Sequence, residues 1–397
     1  MVTRSRPSTA LSGLRILDLT RVRAGPTCCR IFADFGADVI KIEAPKGVDP
    51  NEGMSGARHG SDMENLHRNK RSLTLNLKTP GGLAIFKRLV ETADVVVENF
   101  RPDVKDRLGI AYNDLKAINP RIILASISGF GQTGPYRNRA GFDQIAQGMG
   151  GLMWLTGISG QGPVRAGIAV ADISAGLYAA IGILVALAER ARSGEGQWVS
   201  SSLLQAQIAM LDFQAAKYLV EGVIPQQAGN DHPYSTPMGV VQTADGFINI
   251  GVGGDGQWKA FCAAIGYPEM ASEPEYASIE LRYANRPKLM ARLAEIFRTR
   301  NSDAWLGALE AAGVPAGPIY KMDEVFADPQ VSHVGMAVPV SDGGRNVNLV
   351  ALPIDLSRTP AGISTLLPEP GAHNDEILSE LGYTKSAIDR FKKSDAI

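Results

Sequence analysis

The chain has 397 residues, of which 20% are charged, and a formal net charge of −1 at pH 7. This length suits two domains, or one large domain with a satellite. The charge balance argues against nucleic acid or a membrane surface as the main partner. The three cysteines, Cys28, Cys29 and Cys262, are too few for a disulfide framework and predict a reducing, cytoplasmic location.

Strand and helix patterns alternate over the first third of the chain. Strands are predicted at 15–19, 38–43, 72–77, 94–100 and 121–128, with helices beginning near Pro26 and at Pro80. Strands that are apolar on both faces and alternate with helices predict an α/β fold with a doubly wound parallel sheet. Such sheets bind ligands at the carboxyl ends of their strands.

The rest of the chain indicates a second, smaller unit. Helices are predicted at 173–192 and 200–221, followed by a polar break. A hairpin turning at Asp245-Gly246 and helices at 258–265, 282–298 and 304–312 predict a smaller α+β domain. A second hairpin turns at Gly343-Gly344, and short helices at 376–381 and 385–392 end the chain.

Two stretches, Gly129–Gly134 and Gly251–Gly256, match the pattern G-x-G-x-x-G. Neither has the full context of a dinucleotide site, so both are interpreted as tight loops. For the second, a backbone-rich lid near a reacting carbonyl is a functional alternative. The five histidines lack metal-ligand spacing, so no metal site is predicted.

Basic residues recur near the ends of the predicted strands. Individually each suits a solvated surface, but together they suit an anionic, phosphate-bearing ligand. The set is Arg21, Arg23, Lys41, Lys46, Lys78, Arg101, Lys105 and Arg107.

Asp172 is the only charged residue between Arg165 and Glu189. An aspartate before a helical pattern predicts an N-cap, and the helix dipole favours its ionised form. Apolar neighbours would also reduce its hydration, which suits covalent catalysis by a carboxylate. The two interpretations are compatible, and both are kept.

Several segments together resemble the class III CoA-transferases, a family that includes formyl-CoA:oxalate and carnitine CoA-transferases and, by divergence, α-methylacyl-CoA racemases. The matching segments include LSGLRILDLTRVRAGP, FGADVIKIEAP, NKRSLTLNLKTPGG, ADVVVENFRPDVKDRLGI, GFDQIAQGMGG and DGFINIGVGGDGQWKAFC. The resemblance implies a Rossmann-like large domain, a small domain and an interlocked homodimer. The domain limits predicted on this basis are 1–205 for the first part of the large domain, 206–235 for a linker, 236–330 for the small domain and 331–397 for a second linker and the return to the large domain.

The resemblance also implies a site. Asp172 is the nucleophile that forms a mixed anhydride and then an aspartyl-CoA thioester, Asp143 is an acid beside it, and Gly253 and Gly254 form a lid. Coenzyme A and its acyl thioesters are then substrates, with no tightly bound cofactor and no metal. The implied CoA-binding residues are Arg23, Ala24, Leu75, Lys78, Asn99, Phe100, Arg101 and Arg107.

Several departures from the family pattern refine the expectation. Racemases carry a histidine where this chain has Phe142, which cannot move protons, so a CoA-transferase is favoured and a racemase or epimerase is the alternative. Val252 and Asp255 interrupt the glycine run of the lid. Residues 46–60 lack the tryptophan of an oxalate pocket, and Ala44-Pro45 lacks the arginine beside adenine. We therefore expect a larger carboxylic acid, dicarboxylates included. A CoA-ester-binding protein without turnover is the third hypothesis.

Overall fold

The computed structural model describes residues 6–49, 53–54 and 56–397, which pack as two compact units. The larger unit comprises the chain up to Leu152 together with Ala166–Ala215 and Asp328–Ile397. The smaller unit comprises Met153–Arg165 and Ala216–Ala327. Part of the 46–60 loop, at residues 50–52 and 55, lies outside the described residues. The division places 153–165 with the smaller unit, and a helix occupies part of the segment predicted as the 206–235 linker.

A six-stranded parallel sheet forms the centre of the larger unit, with strand order 3-2-1-4-5-6. This order is that of a Rossmann-like doubly wound fold and confirms the predicted α/β class. The strands are β1 (Arg15–Asp18), β2 (Asp38–Glu43), β3 (Arg71–Thr74), β4 (Val95–Glu98), β5 (Ile123–Ser128) and β6 (Trp198–Ser202). The helix predicted from Ser200 is wrong at its start, because Ser200 pairs with Ser126 of β5.

Ten helices of the described chain precede residue 222. They are α1 (Ala24–Asp34), α2 (Ser61–His67), α3 (Pro80–Val90), α4 (Pro102–Leu108), α5 (Tyr112–Ile118), α6 (Asp143–Met149), α7 (Leu152–Thr156), α8 (Val170–Ser193), α9 (Leu203–Ala209) and α10 (Phe213–Glu221). Successive strand residues point to opposite faces, so Ile16 packs with α1 and α8, whereas Leu17 packs with α3 and α5. Both faces of the sheet are therefore covered by helices.

The close packing of α1 on α8 depends on small residues. Ala175 and Ala179 are buried along α8, and a methyl group placed on Gly176 would lie 2.4 Å from the Ala24 carbonyl oxygen. Among the described residues, α8 is also the helix whose length and apolar composition would allow a membrane span. One of its faces is nevertheless buried against α1, β5 and β6.

The smaller unit is an α+β structure with an aromatic core. Its antiparallel strands are β7 (Met238–Gln242), β8 (Phe247–Gly251) and β9 (Ala316–Pro318), and β7 and β8 form the predicted hairpin. Trp258, Phe261, Phe297 and Trp305 are buried in successive ring contacts. The helices are α11 (Asp255–Ala264), α12 (Ile279–Ala284), α13 (Arg286–Phe297), α14 (Ser302–Ala311) and α15 (Met322–Ala327), with a 3₁₀ turn at Pro268–Ser272.

The C-terminal residues pack within the larger unit. They contain α16 (Pro329–His333), the hairpin β10 (Ala337–Asp342) and β11 (Arg345–Val350), α17 (Asn374–Glu380) and α18 (Lys385–Lys393). The edge strand β3 has no neighbouring strand on its outer side. There the Ser72 N–H donates to His373 Nδ1 at 3.1 Å, and the Thr74 N–H donates to Asn374 Oδ1 at 2.9 Å. Side chains thus replace a seventh strand along this edge.

The close packing of α1 on α8 predicts that a methyl group added at Gly176 destabilises the protein. Gly176→Ala forces Cβ against the Ala24 carbonyl oxygen, and we expect a loss of about 1–3 kcal/mol of unfolding free energy. Thermal unfolding followed by circular dichroism measures it. Gly307→Ala in α14, where the added methyl meets no atom within 4 Å, is the control and should be neutral or stabilising. Equal unfolding temperatures for wild type and Gly176→Ala would contradict the close approach.

Candidate active site

Asp172 lies in the first turn of α8, not at its cap. The helix begins at Val170 with Ala169 as the N-cap residue, so Asp172 is the third helical residue. The predicted N-cap role is therefore wrong, because the helix starts three residues earlier than its apolar pattern indicates. The backbone N–H groups of this first turn therefore need acceptors other than the Asp172 carboxylate.

Asp143, the first residue of α6, supplies that acceptor. Its Oδ1 accepts hydrogen bonds from the backbone N–H of Ala171 at 2.8 Å and from that of Asp172 at 3.3 Å. The structure thus brings together the two aspartates that the sequence singles out. A carboxylate on the N–H groups of a first turn also interacts favourably with the helix dipole.

Gln147, one turn along α6 from Asp143, extends this arrangement. Its Nε2 donates to Asp143 Oδ2 at 2.6 Å and to the Ile168 carbonyl at 3.0 Å, and its Oε1 accepts from the Ala166 N–H at 2.9 Å. The side chain is fully buried. Gln147 is not among the residues predicted from the sequence, although its four-residue spacing from Asp143 in GFDQIAQ places both side chains on one helical face.

The electrostatic environment of Asp172 favours a raised pKa. Burial, and then the charge of Asp143, raise the pKa of Asp172 to about 6, while the charge of Arg23 lowers it. Removal from water is the largest of these effects. The group remains largely ionised at neutral pH, but it is more basic than an ordinary aspartate.

The loop between β1 and α1 presents Arg23 toward the same end of α8. Asn99 Nδ2 donates to the Arg21 carbonyl at 2.8 Å, and its Oδ1 accepts from the Arg21 N–H at 3.0 Å. Val22 has a positive φ of 63°, a conformation that a β-branched residue adopts only when its surroundings impose it. Asn99, implied as a CoA contact, thus uses its amide to hold this loop.

The other residues implied in CoA binding divide by exposure. Ala24 and Leu75 are buried. Phe100 packs against the apolar core below the sheet. The exposed residues are Lys78, Arg101 and Arg107. Arg107 Nη2 lies 3.2 Å from Asp103 Oδ2.

Two of the basic residues assigned to the ligand edge are instead buried. Lys41 and Lys105 are both buried. Lys105 Nζ contacts Gln132 Oε1 and lies 3.7 Å from Glu98 Oε1. Gln132 belongs to the Gly129–Gly134 loop, which the structure fixes by this buried contact. The predicted phosphate-binding role of Lys41 and Lys105 is therefore wrong, because neither ammonium reaches the surface.

Gly253 and Gly254 lie in the smaller unit, after β8. The Gly253 N–H donates to Gln257 Oε1 at 2.8 Å, and Gly254 is the N-cap residue of α11. Their lid role stays a prediction from the resemblance. Among the described residues, no group of three or more His, Cys, Asp or Glu side chains could hold a metal ion.

The raised pKa of Asp172 makes a stability prediction. With a folded pKa of about 6 against an ordinary 3.8, wild type loses stability as pH rises through this window. Asp172→Asn should therefore unfold at a higher temperature at pH 8, by the equivalent of about 2–3 kcal/mol, and match wild type below pH ~4. Thermal melts across pH measure this. The exposed Asp389→Asn in α18 is the control, and a pH-independent difference for Asp172→Asn would contradict the assignment.

Comparisons with known proteins identify the family of the chain. CoA-transferase family III matches residues 11–374. The chain is 42% identical to the succinate–glutarate CoA-transferase of Agrobacterium fabrum, over 94% of this chain and 95% of that one. It is 37% identical to the succinyl-CoA–D-citramalate CoA-transferase of Chloroflexus aurantiacus, over 96% and 97% of the two chains.

A crystal structure shows the same fold. The CAIB/BAIF family protein from Brucella suis has a TM-score of 0.82 and 39% identity, over 94% of this chain and 100% of that one. The chain therefore belongs to CoA-transferase family III and is a CoA-transferase.

Proposed function

We propose that this enzyme transfers CoA from a dicarboxylic acyl-CoA to a free dicarboxylic acid, with Asp172 as the covalent carrier. The observation that carries the proposal is the half-buried Asp172 carboxylate, held in the first turn of α8 by the bonds from Ala171 and Asp172 N–H to Asp143. Succinate, glutarate and citramalate, named for the relatives, are all dicarboxylic acids. The expected preference for an acid larger than oxalate agrees with them.

The proposed reaction proceeds through acyl transfers to and from Asp172. A carboxylate oxygen of Asp172 attacks the thioester carbonyl and the C–S bond breaks. CoA leaves as a thiolate, and a mixed anhydride between Asp172 and the acyl group remains on the enzyme. The thiolate then attacks the Asp172 carbonyl carbon and releases the donor acid as a carboxylate. The acceptor carboxylate attacks the carbonyl carbon of the resulting aspartyl-CoA thioester, the C–S bond breaks, and the CoA thiolate leaves behind a second mixed anhydride between Asp172 and the acceptor. The thiolate finally attacks the acceptor acyl carbon of this anhydride, and its C–O bond breaks to regenerate the Asp172 carboxylate.

Each feature of the site has a part in this scheme. The raised pKa of Asp172 makes its oxygen a better nucleophile than an ordinary carboxylate, while the group stays ionised at neutral pH. The bonds from Asp143 and Gln147 fix the backbone that carries it. Exposed Lys78, Arg101 and Arg107 are proposed to contact the CoA phosphates. Phe142, 59% exposed, offers no proton-transfer group, so the racemase alternative is not favoured.

Replacement of the nucleophile tests the proposal. Asp172→Ala should lose transfer from succinyl-CoA to glutarate, because no covalent carrier remains, while CoA-ester binding survives. Wild type treated with succinyl-CoA and then hydroxylamine should yield a hydroxamate at Asp172, identified by peptide mass spectrometry. Asp389→Ala is the control and should retain both. Transfer by Asp172→Ala would show that another group carries the acyl chain, and binding without turnover by wild type would favour a binding protein.

We further propose that two copies of the chain assemble through α8, in the interlocked homodimer that the resemblance implies. Five apolar residues form an exposed stripe on the side of α8 away from its buried alanines. They are Leu177, Tyr178, Ile181, Leu184 and Val185, with exposures from 41% to 63%. This spacing places them on one helical face, and a contiguous apolar stripe of this kind suits a partner surface.

A charge within the stripe should prevent assembly. Val185→Asp places a carboxylate where the second copy would exclude water, so we expect a shift from dimer to a smaller species in size-exclusion chromatography with light scattering. Ala84→Asp, exposed on α3 across the sheet, adds the same charge and should remain dimeric. An unchanged mass for Val185→Asp would place any interface elsewhere.

A further inference from the structure

Arg23 is a cation close to the nucleophile that makes no hydrogen bond to it. It is the N-cap residue of α1, and its Nη2 lies 2.5 Å from Asp62 Oδ2 in α2. The Arg23 side chain is 27% exposed and that of Asp62 55% exposed, so this pair is open to solvent. A guanidinium with five donors can keep one carboxylate and accept a second.

The packing of α1 on α8 places this guanidinium beside the reacting end of α8. Gly176 meets the Ala24 carbonyl, and Asp172 lies four residues earlier on the same face of α8. Arg23 precedes Ala24 and therefore lies at the level of the first turn of α8. The influence of its charge on the pKa of Asp172 agrees with this placement.

Two further guanidiniums, of Arg30 and Arg68, belong to the charged surroundings of Arg23. Its charged neighbours are Asp62, Arg30 and, through Arg30, the buried ion pair of Arg68 with Asp34. Asp172 is the third carboxylate of this set, so three guanidiniums stand with three carboxylates. Burial lowers the pKa of Arg30 to about 10, and Arg30 Nε is buried with no hydrogen-bond partner among the described residues.

Side-chain hydrogen bonds fix the backbone of the loop that carries Arg23. Asp18 Oδ1 accepts from the Thr20 N–H at 2.9 Å, and Asn99 binds both backbone groups of Arg21. Fixed attachment reduces the cost of ordering the guanidinium around a ligand. The side chain is thus presented at a defined point near the nucleophile.

We propose that Arg23 determines substrate specificity by binding the remote carboxylate of a dicarboxylic acid whose other carboxyl group reacts at Asp172. The inference rests on the proposed function. A dicarboxylic acid keeps one carboxylate unreacted through every acyl transfer, whereas a monocarboxylic acid has no second charge for the guanidinium. The same contact serves the donor acyl chain and the acceptor, since both pass through Asp172.

Matched acceptors test this role. The kcat/KM values for glutarate and pentanoate, which share a five-carbon chain, are measured for full-length wild type and Arg23→Gln with succinyl-CoA and with butyryl-CoA as donors. Wild type should prefer glutarate, and Arg23→Gln should reduce that preference by about 100-fold, since a charge-assisted bidentate contact is lost. Arg23→Lys should restore it in part. Binding of free CoA should not change.

Two further variants sharpen the test. Arg21→Gln, which removes the neighbouring arginine paired with Asp49, is the matched control and should leave the glutarate preference unchanged. Asp62→Asn frees the Arg23 guanidinium from its carboxylate, so the KM for glutarate should fall while that for pentanoate stays constant.

Specific outcomes overturn the inference. An equal loss for both acceptors in Arg23→Gln, or weaker binding of free CoA, would assign Arg23 to CoA binding instead. A wild type that transfers CoA to pentanoate as well as to glutarate would also overturn it. A wild type that transfers CoA to neither acid, from either donor, would instead count against the proposed function.

Discussion

The reactive geometry depends on one carboxylate that satisfies the start of a helix to which it does not belong. Asp143 accepts hydrogen bonds from the N–H groups of Ala171 and Asp172. Gln147 bonds both Asp143 and residues 166 and 168, which precede α8. A helix start left without acceptors would draw in water or fray. Because Asp143 fills this need, Asp172 does not cap its own helix.

The same arrangement imposes an energetic conflict. Two acidic side chains lie close together, partly removed from water, with the nearest cation engaged elsewhere. Folding must therefore confine a charge that water would stabilise better. The fold supports this with close contacts behind the site, above all the backbone approach of α1 and α8 at Gly176. Packing elsewhere in the fold offsets the electrostatic cost of holding these two carboxylates close together.

The fold class and the unusual position of Asp172 could be predicted from the sequence because both leave local patterns. Five strands were visible as apolar runs, and Asp172 as a lone charge. Strand β6 was missed because its serines carry no apolar pattern, and only pairing with β5 makes them a strand. The Asn99 amide bonds Arg21, and the buried Lys105 ammonium contacts Gln132. Both partners are distant in sequence, so no local pattern reveals these contacts.

The edge of β3 has a consequence for the order of folding. Its N–H groups at Ser72 and Thr74 are bonded by His373 and Asn374, about three hundred residues later in the chain. During synthesis, these donors face solvent or other chains until the final helices have left the ribosome. An open edge of this kind is a template for strand addition. The nascent chain thus passes through a long interval in which it is more prone to aggregate than the finished protein.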